Sequence, residues 1–256
     1  MPREFILETQ GLTKTFRGFT AVDRVNLQVT EGHIHALIGP NGAGKTTVFN
    51  LLTKFLPPSH GEILYRGKPI TNMKANQIAR LGLVRSFQIS AVFAHMTVLE
   101  NVRVALQRKL GTSFHFWKSE RSLTSLDERA RELLTQVGLE KDADSLTVEL
   151  PYGRKRALEL ATTLALEPTI MLLDEPTQGM GAEDVDRVVA LIRDAAKGRT
   201  VLMVEHNLSV VSRLCDRITV LARGAVLAEG DYASVSTDPQ VREAYMGSES
   251  AVEEST

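Results

Sequence analysis

The sequence predicts an α/β fold: a mostly parallel β-sheet whose strands alternate with helices, interrupted by a helical block. Two observations carry this. After Pro168 the chain alternates strictly between short runs that are apolar on both faces and segments of helical period, and between Thr97 and about Leu166 the period is helical throughout. In chain order, "FILE" at Phe5, "VNLQV" from Val25, "HIHALIG" ending at Gly39 and "GEILYRG" from Gly61 are β-rich runs bounded by Gly or Pro and read as strands. The helical block follows with "TVLENVRVALQRKL" from Thr97, "LDERARELLTQVGL" from Leu126, and a helix opening at "PYGRKRALELATTLAL". The alternation then runs strand "TIMLLD", helix "EDVDRVVALIRDAA", strand "TVLMVE", helix "LSVVSRLC" and strand "RITVLA".

With 256 residues, 43% hydrophobic and 24% charged, the chain has the size of one large domain or two closely joined lobes. A net charge of -1 supplies no basic excess, which argues against a general nucleic-acid binder. The single cysteine, Cys215, sits in an apolar helical stretch; it reads as a packing residue in a reducing compartment. The start "MPREFILETQ" is too short and too charged for a secretory signal, and no apolar run reaches the roughly 18 residues of a membrane span, so a cytoplasmic location is expected. The acidic ending "GSESAVEEST" is expected to fray.

The chemistry begins at "GPNGAGKTT", residues Gly39, Pro40, Asn41, Gly42, Ala43, Gly44, Lys45, Thr46 and Thr47, placed between an apolar strand and a helical run. This is the context of a Walker A loop. Glycines 39, 42 and 44 permit a nest of backbone N–H groups for phosphate, Lys45 reaches the terminal phosphates, and Thr46 is positioned to ligate Mg2+. "IMLLDEP" ends a buried strand in two acids at the sheet edge where α/β ligands gather. Asp174 is the candidate for water-mediated Mg2+ coordination and Glu175 the candidate general base for an attacking water. A third strand ends at His206, whose imidazole would reach the γ-phosphate or that water, although a lone histidine after a strand is more often only a satisfied polar residue.

One helix start is unusual. Gly153 stands at its mouth and is followed at once by Arg154, Lys155 and Arg156, bases that oppose the helix dipole. A glycine beside the free N–H groups of a helix start suits an approaching anion. The alternative is a plain surface helix whose Pro151 and Gly153 only punctuate a turn.

The order of these motifs resembles the nucleotide-binding subunit of ATP-binding-cassette (ABC) transporters over essentially the whole chain. Phe16 matches the aromatic A-loop, "GPNGAGKTT" Walker A, Gln88 in "VRSFQ" the Q-loop, "LPYGR" the signature, "MLLDEP" Walker B with its glutamate, "TQGMG" the D-loop and His206 the H-loop. The resemblance implies a P-loop NTPase fold in one domain over residues 1–246. Its core lobe covers about 1–88 and 167–246, with a mostly parallel sheet and an antiparallel β subdomain; a helical subdomain is inserted at about 89–166, and 247–256 form a flexible tail. It implies ATP and Mg2+ as ligands, Glu175, His206 and Gln88 as the catalytic set, and Thr46, Gln88 and Asp174 at the metal. Phe16 would stack on adenine, or is a core aromatic beside a strand; Gln88 would sense Mg2+ and water, or is a solvated loop residue.

In this family the usual Leu-Ser-Gly-Gly-Gln signature binds the γ-phosphate of ATP held by the other subunit of a head-to-tail dimer. The resemblance therefore assigns Pro151, Tyr152, Gly153 and Arg154 to a partner's ATP, with the usual serine absent. The stretch after the Q-loop, "ALQRKLGTSFHFWKSERSLTSLDERA", and the ending "GDYASVSTDPQVREAYMG" are similar to ATPases of importers for branched-chain and hydrophobic amino acids. That branch implies two transmembrane permease subunits, a second ATPase subunit, identical or homologous, and a periplasmic solute-binding protein acting indirectly. It places the chain on the inner face of the cell membrane, with no nucleic-acid partner. The aromatics of "SFHFW" either pack inside the helical lobe or line the surface that receives a membrane subunit. A soluble ABC protein of DNA or ribosomes usually has two cassettes or zinc cysteines, and a small-molecule P-loop kinase would not need Gln88, Gly153 and His206 together.

Overall fold

The computed structural model describes residues 4–86, 92–107 and 126–245. Two sheets form among them. The larger has six strands: β4 (Ile34–Ile38), β7 (Leu83–Arg85), β8 (Ile170–Asp174), β9 (Thr200–Val204), β10 (Arg217–Ala222) and β11 (Ala225–Gly230), in the order β11-β10-β4-β9-β8-β7. Every neighbouring pair is parallel except the β10–β11 hairpin at one edge. The smaller sheet is antiparallel: β1 (Phe5–Phe16), β2 (Phe19–Val25), β5 (His60–Tyr65) and β6 (Lys68–Pro69) run β2-β1-β5-β6, with β3 (Gln28–Thr30) also on β1. The helices are α1 (Lys45–Leu52), α2 (Ala75–Arg80), α3 (Val98–Gln107), α4 (Asp127–Gln136), α5 (Tyr152–Ala165), α6 (Ala182–Ala195), α7 (Leu208–Leu214) and α8 (Tyr232–Thr237).

The expected α/β class, parallel sheet and helical block are all present. Details of the N-terminal strands differ. "VNLQV" is broken in two, because the Asn26 carboxamide accepts the Gly11 N–H and the Leu27 N–H donates to the Thr9 hydroxyl. These side-chain bonds replace ladder bonds at the break. The edge strands β6 and β11 and the short β7 and α2 lie outside the sequence reading; they are two to six residues long and give too short a period to detect.

Alternation along the parallel strands divides the apolar core into two layers. Met171 and Leu173 of β8 and Val201 and Met203 of β9 face the layer built with α3, α4, α5 and α6. Ile170 and Leu172, Leu202 and Val204 face the layer built with α1 and the antiparallel sheet. Period-2 side chains on a strand make this division automatic. Besides backbone bonds from Thr147 and Val148 to the Met96 and Ala94 carbonyls, a buried polar group joins the helical block to its preceding segment: Asn101 accepts from the Phe93 N–H at 2.7 Å and donates to the carbonyls of Phe93 and Thr97 and to the Thr147 hydroxyl. Cys215 stands half-buried beside Met203, Sγ 3.7 Å from Sδ, and burial pushes its thiol up to about 12, as suits a packing residue.

Candidate active site

The loop 39–44 turns from β4 into α1 through left-handed backbone at Gly39 (φ 148°), Gly42 (φ 76°) and Gly44 (φ 102°). Phosphate access is not the sole reason for glycine here. A Cβ on Gly39 would stand 2.1 Å from the Leu221 carbonyl oxygen of β10, and one on Gly44 would stand 2.6 Å from the Ala21 carbonyl oxygen of β2, so the loop is wedged between two strands. A Cβ on Gly42 would meet nothing within 4 Å, and Asn41, Gly42 and Thr46 are exposed. Lys45 is buried and donates to the Gly39 and Pro40 carbonyls at 2.7 and 2.9 Å. Burial holds its ammonium below the ordinary lysine value, while Glu175 and Asp174 pull in the opposite direction.

Those acids come from the C-terminal edge of the parallel sheet. Asp174 ends β8; Glu175 follows with φ 47°, a conformation a non-glycine side chain adopts at a cost of about 1–3 kcal/mol. Its backbone N–H bonds the Val204 carbonyl at 2.9 Å, and its carboxylate meets the His206 Nε2 at 2.7 Å. Lys45, Asp174, Glu175 and His206, taken from three different strand ends in the sequence, are thus brought to one place.

Two residues of this constellation lie outside the sequence reading. Arg85, at the end of β7, forms an ion pair with the Asp174 Oδ2, donates to Asn50 of α1 at 2.7 Å, and lies over the rings of Phe49 and Phe55. Both members of the pair are largely buried, side chains 13% and 8% exposed. Glu205, 2% exposed, accepts the Thr177 N–H and hydroxyl on Oε1, and the N–H groups of His206 and Asn207 on Oε2. An acid ending an otherwise apolar strand beside a candidate histidine was a visible signal for Glu205. Arg85 had none, because its partners are 35 and 89 residues away.

Phe16 ends β1 opposite Phe19, across a turn of Arg17 (φ 40°) and Gly18 (φ 91°); it is 42% exposed, with the Lys14 ammonium 5.1 Å from its ring centroid. The hairpin touches the phosphate loop through Ala21. At that exposure Phe16 is not part of the apolar core. Gln88 and "SFHFW" fall outside the described residues.

At the other helix start, Pro151 is the N-cap of α5 and its carbonyl accepts the N–H groups of Arg154 and Lys155. The bases that oppose the dipole are each engaged elsewhere: Arg154 pairs with Asp142, Lys155 donates to the Val148 carbonyl, and Arg156 pairs with Glu159. Gly153 is buried, and a Cβ there would stand 2.9 Å from Asp184 Oδ1 on α6. A side chain at 153 would have to displace that carboxylate.

For Mg2+ the donor set is hard and oxygen-based: the exposed Thr46 hydroxyl and the Asp174 carboxylate. Two such oxygens fit an ion that keeps water and phosphate as its other ligands.

A phosphate-sized nest at Lys45 set against a carboxylate–histidine pair suits cleavage of a nucleoside triphosphate by water, the chemistry of P-loop ATPases. The sequence profile of the ABC transporter family matches residues 22–178, and a profile of branched-chain amino acid ATP-binding cassette transporters matches residues 225–251. The chain belongs to the ABC transporter ATP-binding family, whose activity is ATP hydrolysis. It is 40% identical over 252 residues to the high-affinity branched-chain amino acid transport ATP-binding protein BraF of Pseudomonas aeruginosa, covering 94% of this chain and 98% of that one. It is 38% identical over 250 residues to LivG of Escherichia coli, described in the same words, with the same coverage. An ABC transporter cassette solved in its ADP conformation superposes with a TM-score of 0.83 at 30% identity, covering 96% of this chain and 100% of that one. A dimeric cassette bound to ADP and Pi gives 0.74 at 25% identity, over 88% and 98%.

Proposed function

We propose that this chain is the ATPase subunit of an importer for branched-chain or other hydrophobic amino acids or related small organic solutes. The observation that carries the reading is the convergence of Lys45, Asp174, Glu175 and His206, in a chain so similar in extent and sequence to BraF and LivG. In this reading residues 39–47 hold the triphosphate of ATP and Phe16 stacks on the base. Thr46, Gln88 and, through water, Asp174 would hold Mg2+, which would supply charge neutralisation on the phosphates. Glu175 orients and deprotonates the attacking water; the bond to His206 fixes its carboxylate. Pro151, Tyr152, Gly153 and Arg154 face the ATP of a second ATPase subunit, identical or homologous.

Two permease subunits would dock on the helical block, and a periplasmic solute-binding protein would act through them, placing the chain on the cytoplasmic face of the membrane. Among the described residues no helix is long and apolar enough to cross it. Support for docking is an apolar patch: Phe93, Met96, Leu146 and Val148 are 53%, 37%, 39% and 49% exposed, and the Thr97–Leu146 bridge and the Val148 N–H to Ala94 carbonyl bond bring their two segments together.

Glu175→Gln tests the reading. ATP binding should persist while hydrolysis stops, giving with ATP and Mg2+ a dimer on size exclusion that the wild-type chain does not accumulate. A variant that turns over ATP at the wild-type rate would remove Glu175 from its role. The solute is tested separately, by uptake of labelled leucine, isoleucine and valine into vesicles holding the assembled transporter.

A further inference from the structure

Position 152, a glycine in the family's usual signature, is a tyrosine here, and the structure gives its hydroxyl two partners. The phenol donates to the Gln178 carbonyl at 3.0 Å and accepts from Arg156 at 3.2 Å, and the Arg156 guanidinium lies 5.5 Å from the centre of the tyrosine ring. Arg156 is itself fixed by Glu159 at 2.8 Å, in a pair whose side chains are only 9% and 6% exposed. Gln178 belongs to the turn after Glu175: its N–H bonds the Glu175 carbonyl at 3.2 Å, and the Met180 N–H bonds that of Thr177 at 3.3 Å. Thr177 is bound to Glu205, which also fixes the backbone of His206. A continuous run of bonds therefore leads from the buried Glu159–Arg156 pair through Tyr152 to the turn 177–181, and on through Thr177 and Glu205 to the Glu175–His206 pair.

We propose that Tyr152 is a positioning residue that locks the turn 177–181 to the start of α5, so that the signature end of this helix and the hydrolytic pair keep one fixed relation. The inference deepens the proposed function and rests on its reading that residues 151–154 face a partner's ATP. Thr177, bonded to Glu205, holds one end of the turn, and Met180 packs against the core as the chain enters α6; the Tyr152 hydroxyl is the hydrogen bond that joins the turn to α5. A Cβ on Gly179, at φ 76°, would stand 4.0 Å from the Tyr152 hydroxyl oxygen. Without that oxygen the middle of the turn loses its hydrogen bond to α5. The ring and its contact with Arg156 would survive in phenylalanine, so the hydroxyl alone can be examined.

The experiment is Tyr152→Phe, alone and with Thr177→Val, in the full chain and in the assembled transporter. In Tyr152→Phe the backbone amides of residues 177–181 should exchange hydrogen about tenfold faster while exchange in the core strands is unchanged, and kcat for ATP should fall about fivefold with KM unaltered. In the double variant the loss in kcat should be less than the product of the two single losses, since both cut one chain of bonds. Unchanged exchange at 177–181 in Tyr152→Phe would overturn the proposal, as would independent, multiplying losses. The underlying reading has its own readout: in the Glu175→Gln background, ATP should protect the amides of residues 152–154. Failure there would reject the trans contact while leaving the exchange result on Tyr152 to stand or fall by itself.

Discussion

Lys45 donates close to home, to two carbonyls of the loop it follows, and no other cation is hydrogen-bonded there among the described residues. Lys45→Ala should therefore abolish nucleotide binding, read with a fluorescent ATP analogue, because no neighbour replaces its point charge on the phosphates. Arg85 differs, since it stabilises the fold through Asp174. Arg85→Met leaves a largely buried carboxylate unpaired and should cost about 3–5 kcal/mol in chemical denaturation, and adding Asp174→Asn should recover most of it. His35 gives a pH dependence. It is fully buried on β4, bonded to Thr219 at 2.8 Å, and burial with nearby Arg217 and His33 lowers its pKa from 6.5 to about 3. The unfolded chain then binds the proton first as pH falls. The contribution of His35 is full above about pH 6.5 and is lost progressively down to about pH 3, at up to about 1.4 kcal/mol per pH unit. Unfolding of a His35→Val, Thr219→Val double variant, followed by denaturant between pH 7 and 4, should show a flatter profile than the wild type.

Among the elements, those with long or repeated periods were legible. The helices read from "LDERARELLTQVGL" and "EDVDRVVALIRDAA" appear as α4 and α6, and the strands "TIMLLD", "TVLMVE" and "RITVLA" as β8, β9 and β10. What escaped were the break at Asn26, the short edge strands β6 and β11 of two hairpins, and β7, whose partner β8 lies more than 80 residues further along the chain. Asn101 is a case where one polar residue holds two elements. It lies on the buried side of α3, and a polar residue there is informative only once its four bonds to Phe93, Thr97 and Thr147 are seen. Asn101→Ala strands the Phe93 N–H and should cost about 1–3 kcal/mol. Urea denaturation gives the loss, and increased exchange of the amides at 93–97 should accompany it.

At the scale of the whole molecule, the patch of Phe93, Met96, Leu146 and Val148 should matter only in the assembly. Phe93→Glu with Val148→Glu should leave nucleotide binding and thermal stability of the chain close to wild type, and should prevent its co-purification with the permeases or abolish transport. Unimpaired uptake would move the docking surface elsewhere. The sequence by itself determined the fold class, the phosphate loop and the acids and histidine at strand ends, because strand and helix periods and a nine-residue motif are local properties of the chain. It also exposed the odd signature, without its consequence. Tertiary structure alone decided that Arg85 closes on Asp174, that Glu205 anchors both Thr177 and His206, and that Tyr152 reaches Gln178. Each joins side chains to groups 26 to 89 residues away, or bridges one such group to a neighbour, across strand ends that meet only when the sheet is assembled. Gly153 marks the same boundary: its place at a helix mouth is visible in the sequence, and the Asp184 carboxylate behind it appears only when α5 and α6 pack.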